Sequence, residues 1–311
     1  MNLPSVHVRI IFLTNFLEYE RLPPLLETMR PRQWAKNIFV FAALVFDGSL
    51  DDLGGRIVST CFAFVLLCLM SSTVYIMNDL SDIEADRQHP TKKNRPLPSG
   101  RLNKTTAGIA TVIFGIGSLA AGFLLSVPLG IILLIYLLIQ IAYTYRLKHV
   151  VLLDVFIIAS GFVLRVAAGV AVITVQRFSP WLYICMGLLA LFMALGKRRH
   201  ELVLMGQNAG ASRAILKEYN LDFIDRMITM VLSGVLVSYS MYTFLAEGLP
   251  EDNSMMLTIP FVLFGLSRYL YLVLVKGEGG APEEILLRDR QFQINMLLWG
   301  LMVVGVLYFF R

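Results

Sequence analysis

Charge is scarce in this sequence. Asp, Glu, Lys and Arg make up 16% of its 311 residues, against about a quarter in a soluble globular domain, which excludes an ordinary water-soluble fold. Cysteine is scarcer still: Cys61, Cys68 and Cys185 all sit in apolar runs, with no CxxC spacing and no His placed as a zinc partner. That excludes a disulfide framework and a thiolate metal site, and leaves three small apolar packing residues. Only four His are present, none in a Ser/His or Cys/His arrangement, so nucleophilic triad chemistry has no carrier. No cleavable signal peptide is evident either. Residues 1–30 mix Arg9, Glu18, Glu20, Arg21 and Glu27 with apolar positions and lack a clean apolar core ending in small residues; they read as an interfacial, amphipathic lead-in.

What is abundant is apolar surface. The chain is 57% hydrophobic, which excludes disorder. Apolar runs of ~20 residues recur, each able to cross a bilayer core of about 30 Å. Hydropathy predicts an all-α polytopic membrane protein with nine spans, at about 34–50, 56–77, 105–124, 127–144, 150–174, 180–196, 227–246, 255–275 and 292–310. The division expected is an N-terminal segment 1–30 and a nine-helix membrane domain 31–311. Sorting the charges by loop puts 22 of the 27 basic residues into the N-terminus and loops 78–104, 145–149, 197–226 and 276–291. By the positive-inside rule these face the cytoplasm, with the N-terminus inside, the C-terminus outside and the chain in the cell membrane. Two long cytoplasmic loops, after spans 2 and 6, are spaced like halves of a repeat, but their sequences do not repeat.

The first of these loops opens Asn78-Asp79-Leu80-Ser81-Asp82-Ile83-Glu84-Ala85-Asp86. If span 2 continues as a helix, ~100° per residue places Asn78, Asp82, Asp86 and Asp79 within an arc of roughly 100°, and Glu84 points away. Carboxylates so close repel one another unless a cation sits among them. Oxygen donors on one partly hydrated face suit Mg²⁺ shared with a diphosphate; a solvated acidic helix end is the competing reading. The continuation His89-Pro90-Thr91-Lys92-Lys93-Asn94-Arg95-Pro96-Leu97-Pro98-Ser99-Gly100-Arg101 is a basic loop stiffened by three prolines and closed by a Ser-Gly turn. Carboxylates for a metal followed by cations for phosphate oxygens are what a metal-diphosphate site needs.

The segment Asn78–Asp86 with Arg95-Pro96-Leu97-Pro98-Ser99-Gly100 resembles the first aspartate-rich motif and following loop of the UbiA superfamily of intramembrane prenyltransferases, and the resemblance runs over residues 30–311. It implies a UbiA-like nine-helix bundle with cytoplasmic active-site loops, Mg²⁺ on Asp79, Asp82 and Asp86, and Asn78 orienting the donor. The second half departs from the family pattern. Where a second acidic motif is expected, the sequence reads Gly196-Lys197-Arg198-Arg199-His200-Glu201-Leu202. Three adjacent cations cannot hold a metal but can meet a phosphate; membrane-edge anchoring predicts the same residues. This departure is similar to the branch of polyprenyl-phosphate phosphoribosyltransferases, as are Tyr143–Lys148, Asp154-Val155, Gly161–Gly169, Arg268-Tyr269 and the loop Gly279–Arg290.

That resemblance implies transfer of 5-phosphoribosyl from phosphoribosyl pyrophosphate to a polyprenyl monophosphate, releasing pyrophosphate, within cell-wall precursor synthesis. Asp79, Asp82, Asp86 and Asp154 would be the catalytic carboxylates. Asn78, Lys92, Arg95, Tyr145, Lys148, Lys197, Arg198 and Arg199 would bind substrate. The partners are the two substrates and the lipid bilayer; nucleic acid is not expected, and a homo-oligomer is left open. The alternative is a prenyltransferase joining a polyprenyl diphosphate to an aromatic acceptor, which predicts the second acidic motif. A transporter, the remaining rival, would place its ionisable groups near the midplane rather than at the rim.

Spacing alone singles out one more pair. Asp154 and Arg165 lie 11 residues apart, hence on one helix face but ~16 Å apart along its axis, too far for an ion pair. Asp154 reads as an active-site wall. Arg165, costly inside a span, reads as paired to a neighbouring span. Arg268, ~10 Å from the cytoplasmic end, reads as snorkelling.

Overall fold

The computed structural model describes residues 22–46, 53–89, 92–173, 179–205, 214–247, 249–277 and 288–309. Every regular element among them is helical. In chain order these are α1 (Pro24–Met29), a 3₁₀ stretch Pro31–Phe41 running into α2 (Ala42–Phe46), α3 (Leu53–Ser81), α4 (Ile83–Gln88), α5 (Lys104–Leu125), α6 (Val127–Tyr145) and α7 (Leu153–Val170). They continue with α8 (Pro180–Met205), α9 (Leu221–Leu245), α10 (Ile259–Leu270) with a π-helical tail Tyr271–Val275, and α11 (Arg290–Phe309). Among the described residues, eight segments are long and apolar enough to cross a membrane: Gly54–Ser81, Lys104–Leu125, Val127–Tyr145, Leu153–Val170, Pro180–Val203, Leu221–Leu245, Ser254–Val275 and Arg290–Leu307. Large apolar side chains stay exposed along them, such as Ile113, Ile116 and Leu138, as suits a surface facing hydrocarbon.

These eight coincide with eight of the nine expected spans, and the ends differ in an informative way. Helix α3 runs on to Ser81, α8 to Met205, and α9 starts at Leu221 behind an Asn220 cap whose side chain accepts the Phe223 N–H at 2.7 Å. Hydropathy stops at the first charges, whereas helical hydrogen bonding stops only at a cap, Gly or Pro; Lys, Arg, Glu and Leu are all good helix formers. The Lys197–Leu202 run therefore belongs to a helix, not a loop. The expected first span, 34–50, departs further. Its described part is 3₁₀ helix to Phe41 and α-helix to Phe46, and residues 47–50 lie outside the described residues. Rising about 2.0 Å per 3₁₀ residue and 1.5 Å per α residue, residues 31–46 cover roughly 30 Å.

The chain divides into two compact units, one taken from Met1–Ala35 and Cys68–Ser118, the other from Lys36–Leu67 and Leu119–Arg311. The first is built around Met29, Ile76, Ile83, Leu97, Leu102, Ala107 and Ala110, so the basic loop of residues 92–103 is pinned by two of its own leucines. The second has a core of α7, α8 and α9 around Val155, Leu195, Ile224 and Ile228. A further cluster there joins Leu182, Val235, Tyr239 and Met255 to Val303 and Val306 of α11.

Two glycine positions set close approaches in the second unit. A Cβ on Gly169 would lie 1.9 Å from the carbonyl oxygen of Val40, so only glycine lets α7 meet the 3₁₀ stretch. A Cβ on Gly130 would fall 2.4 Å from the Phe123 ring, which is how α5 and α6 close into a hairpin over the single residue Ser126, whose hydroxyl donates to Ala171 O at 2.8 Å.

Candidate functional site

In the first unit, α3 keeps its helix through Asn78 and Asp79, breaks at Asp82 (φ −100°, ψ 9°), and resumes as α4. Asp82 N still donates to Asn78 O at 3.0 Å, and Asp86 N to Asp82 O at 2.8 Å, so the turn is bent rather than lost. Asp79 and Asp86 end up buried, and the guanidinium of Arg95 lies between them, with Nη1 2.7 Å from Asp86 Oδ2 and 3.3 Å from Asp79 Oδ1. Arg30 adds Nη2 to Asp79 Oδ1 at 2.5 Å, and Lys92 Nζ lies 3.6 Å from Asp86 Oδ1. Two like charges tolerate each other because cations sit among them. The carboxylates are 5% and 4% exposed, while Arg30, Arg95 and Lys92 are 27%, 32% and 43% exposed. The anions are fixed inside and the cations reach outward.

Each cation is aimed by local structure. Arg30 caps α1 in the left-handed region (φ 55°, ψ 63°) and lies 5.0 Å over the Tyr75 ring. Arg95 heads a turn held by Leu102 N to Pro96 O at 2.9 Å and by Gly100 at φ 79°, a conformation glycine adopts without strain. Arg101 ties the same loop down with a bidentate pair to Glu27 at 2.8 and 3.0 Å and a bond to Asn94 O.

The structure thus brings Asp79, Asp86, Lys92 and Arg95 together. Asn78 and Asp82 stay half-buried beside them. Three carboxylates do not converge: among the described residues, no three His, Cys, Asp or Glu side chains are gathered closely enough to hold a metal ion. The helix break at Asp82 is the reason, since the expected arc assumed an unbroken helix. The donor set is nonetheless hard oxygen, beside three partly exposed cations. That chemistry fits a divalent ion arriving with phosphates, which would take over the cations now on the carboxylates.

In the second unit, the basic run on α8 is not one cluster. Successive helix residues point ~100° apart, so Lys197 faces out, Arg198 is 1% exposed and Arg199 is half-buried. Arg198 Nε donates to Asp154 Oδ2 at 2.7 Å, and its Nη1 to Glu201. Arg199 Nε donates to Asp225 Oδ1 at 2.6 Å. The three therefore do not present one patch: Lys197 faces out, while Arg198 and Arg199 are engaged by carboxylates. Asp154 is fully buried, as one half of an ion pair with Arg198. Its other oxygen accepts the Tyr219 hydroxyl at 2.6 Å, and that hydroxyl accepts the Leu152 N–H at 2.7 Å. Leu152 has φ 68°, a conformation that costs a non-glycine residue on the order of 1–3 kcal/mol. Burial, then the Asp154 carboxylate, pushes the Tyr219 phenol up to about 12; it stays protonated and donates at neutral pH. Tyr145 is exposed and Lys148 half-buried, in the turn leading from α6 to Leu152.

The other two singled-out arginines also find partners. Arg165 donates to Asn37 Oδ1 at 2.7 Å, Gly161 O at 2.6 Å and Tyr136 Oη at 3.1 Å, and its guanidinium lies 5.2 Å over the Tyr136 ring. It is paired internally as expected, through neutral acceptors. Arg268 does not merely snorkel. It holds Asp289 at 2.8 and 3.3 Å, and this contact, with the Phe292 N–H, keeps the Asp289 carboxyl below the usual range. Residues 279–287 of the loop before α11 lie outside the described residues.

Residues 37–279 match the UbiA prenyltransferase family. The chain belongs to that family. With eight apolar helices of bilayer length, it is a multi-pass membrane protein. A decaprenyl-phosphate phosphoribosyltransferase of Mycobacterium tuberculosis is 34% identical over 281 residues, which covers 88% of this chain and 90% of that one. Its counterpart in Corynebacterium glutamicum is 32% identical over 300 residues, or 93% and 90%. Among solved structures, a UbiA homolog from Archaeoglobus fulgidus bound to GPP and Mg²⁺ aligns with a TM-score of 0.67 at 18% identity, covering 91% of this chain and 99% of that one. At that identity the shared property is the fold.

Sequence reasoning missed Arg30, Tyr219, Glu201 and Asp225. Arg30 carried a faint signal, standing just before Pro31 in a polar stretch. Tyr219 carried none, because its partners are 65 and 67 residues away.

Proposed function

We propose that the protein transfers the 5-phosphoribosyl group of phosphoribosyl pyrophosphate to a polyprenyl monophosphate, with Mg²⁺ and with release of pyrophosphate. The observation that carries this reading is the extended similarity to the mycobacterial and corynebacterial decaprenyl-phosphate phosphoribosyltransferases, over about nine-tenths of both chains. The first unit supports it chemically. Asp79 and Asp86, with Asp82 and Asn78 beside them, would hold the metal, which when bound neutralises the leaving diphosphate. Arg30, Arg95 and Lys92 would turn from the carboxylates onto phosphate oxygens, and their partial exposure permits that motion. A phosphate oxygen of the acceptor attacks the anomeric carbon as the bond to pyrophosphate breaks. That nucleophile is already an anion, so no strong general base is required.

In this reading Lys197, Lys148 and Tyr145 serve the remaining phosphate contacts, and Asp154, Arg198 and Arg199 hold the second unit's frame. The alternative, a prenyl diphosphate joined to an aromatic acceptor, asks for a second acidic group near the end of α8. Of the carboxylates described there, Asp154 and Glu201 share the buried Arg198 and Asp225 holds Arg199, whose side chain is 12% exposed, so these cations lack the exposure of those in the first unit. The protein would sit in the cell membrane with its N-terminus in the cytoplasm, and residues 1–30 would lie at the interface before the nine-helix domain. The test is purified protein with Mg²⁺, labelled phosphoribosyl pyrophosphate and polyprenyl phosphate. Label entering the lipid phase is expected; none there, alongside prenylation of an aromatic acceptor, would refute the reading.

A further inference from the structure

We propose that Tyr219 is a positioning residue for this transfer: its hydroxyl fixes the backbone at Leu152 and through it the aim of Lys148. The inference rests on the phosphoribosyl-transfer reading and deepens it. Residues 146–152 connect α6 to α7 and carry Lys148 in a 3₁₀ turn, Leu147–His149. The turn is anchored at its start by Arg146 N to Ala142 O at 3.0 Å. Its other end is Leu152, held at φ 68° without the glycine that would adopt it freely. The backbone N–H there donates to a phenol 67 residues on.

That phenol is 6% exposed and stacks on Phe223 with centroids 6.3 Å apart. A side chain needed only for packing would keep its place as phenylalanine. This hydroxyl instead works twice, accepting from Leu152 and donating to Asp154. Asp154 is in turn locked by Arg198, and Arg198 by Glu201, which is 23% exposed. The strained turn is thereby coupled to the basic end of α8, and the hydroxyl is the joint between them. A phosphate-binding lysine on a turn displaced by even ~1 Å loses up to about 100-fold in rate.

The experiment uses the full-length protein in nanodiscs. Tyr219→Phe keeps the ring and deletes both hydrogen bonds. Amide hydrogen exchange across residues 147–153 should accelerate at least tenfold, with the unfolding midpoint moved by only a few degrees. The kcat for label transfer should fall roughly 10–100-fold. In the background of Lys148→Ala, the same substitution should cost little further, because the lysine it aims is gone. If Tyr219→Phe does not fold, 3-fluorotyrosine at 219 keeps the shape and weakens the hydroxyl as acceptor, and the same changes are expected at smaller size. Unchanged exchange, unchanged kcat, or losses that add fully to those of Lys148→Ala would each overturn the positioning role while transfer by the native protein stands. Absence of transfer by the native protein takes the functional reading down and the positioning role with it.

Discussion

Two carboxylate–guanidinium groups, one in each compact unit, use the same chemistry to opposite ends. In the first unit the anions Asp79 and Asp86 are buried and their cations are roughly a third exposed. In the second, Asp154 and Arg198 are both buried, at 0% and 2% side-chain exposure. In the proposed reading, a guanidinium with one face in water moves from its carboxylate to a phosphate as the metal takes its place on the carboxylate. One with no water around it cannot leave without stranding two charges in a low-dielectric interior. On the proposed function, exposure of the cations is what lets the first group serve a ligand while the second holds a frame.

That contrast is open to direct attack. The largest effect is expected from Arg198→Ala, which strands the Asp154 carboxylate; about 3–5 kcal/mol of stability should go. Thermal unfolding in detergent reads it, and a midpoint within 2 °C of native would erase the distinction. Gly169→Ala comes next. The new methyl meets Val40 O at 1.9 Å, and overpacking of this kind costs about 1–3 kcal/mol or more. Asp86→Asn should show the reverse profile, with transfer reduced at least 100-fold and the midpoint almost unmoved. A large loss of stability there would make the first unit's group structural after all.

The smallest effect concerns Arg268 and Asp289. Because the folded-state pKa of Asp289 is depressed, the pair stabilises above the ordinary carboxylate pKa, near 4, and that contribution disappears as pH falls through the lowered value. The shift in unfolding midpoint between pH 6 and pH 3 should therefore shrink by a degree or two in Asp289→Asn.

The helical class, eight spans and the acidic–basic loop were legible because each is written in contiguous letters: apolar runs of bilayer length, Asn78–Asp86, and the prolines around Arg95. What the sequence concealed is where helices stop and which residues meet across distance. Asp82 looked equivalent to its neighbours, but it stands at the bend and stays half-buried where Asp79 and Asp86 are buried. Lys197, Arg198 and Arg199 looked like one patch because they are adjacent, and helical rotation gave them three directions. The Tyr219 hydroxyl left no trace, since nothing in a Leu-Lys-Glu-Tyr-Asn string announces a partner 65 residues upstream.

The tight turn at Ser126 bears on how the chain is threaded during synthesis. One residue separates α5 from α6, and nothing charged lies between Lys104 and Arg146. The insertion machinery reads lysine and arginine near helix ends, and at this end it finds nothing to read. By the positive-inside rule, the expected direction of the hairpin then rests on Arg101 and Lys104 before it and Arg146 and Lys148 after it. Arg146 and Lys148 lie in the turn that the Tyr219 hydroxyl holds, so the same short turn that marks the end of the hairpin for insertion carries its strain in the folded protein.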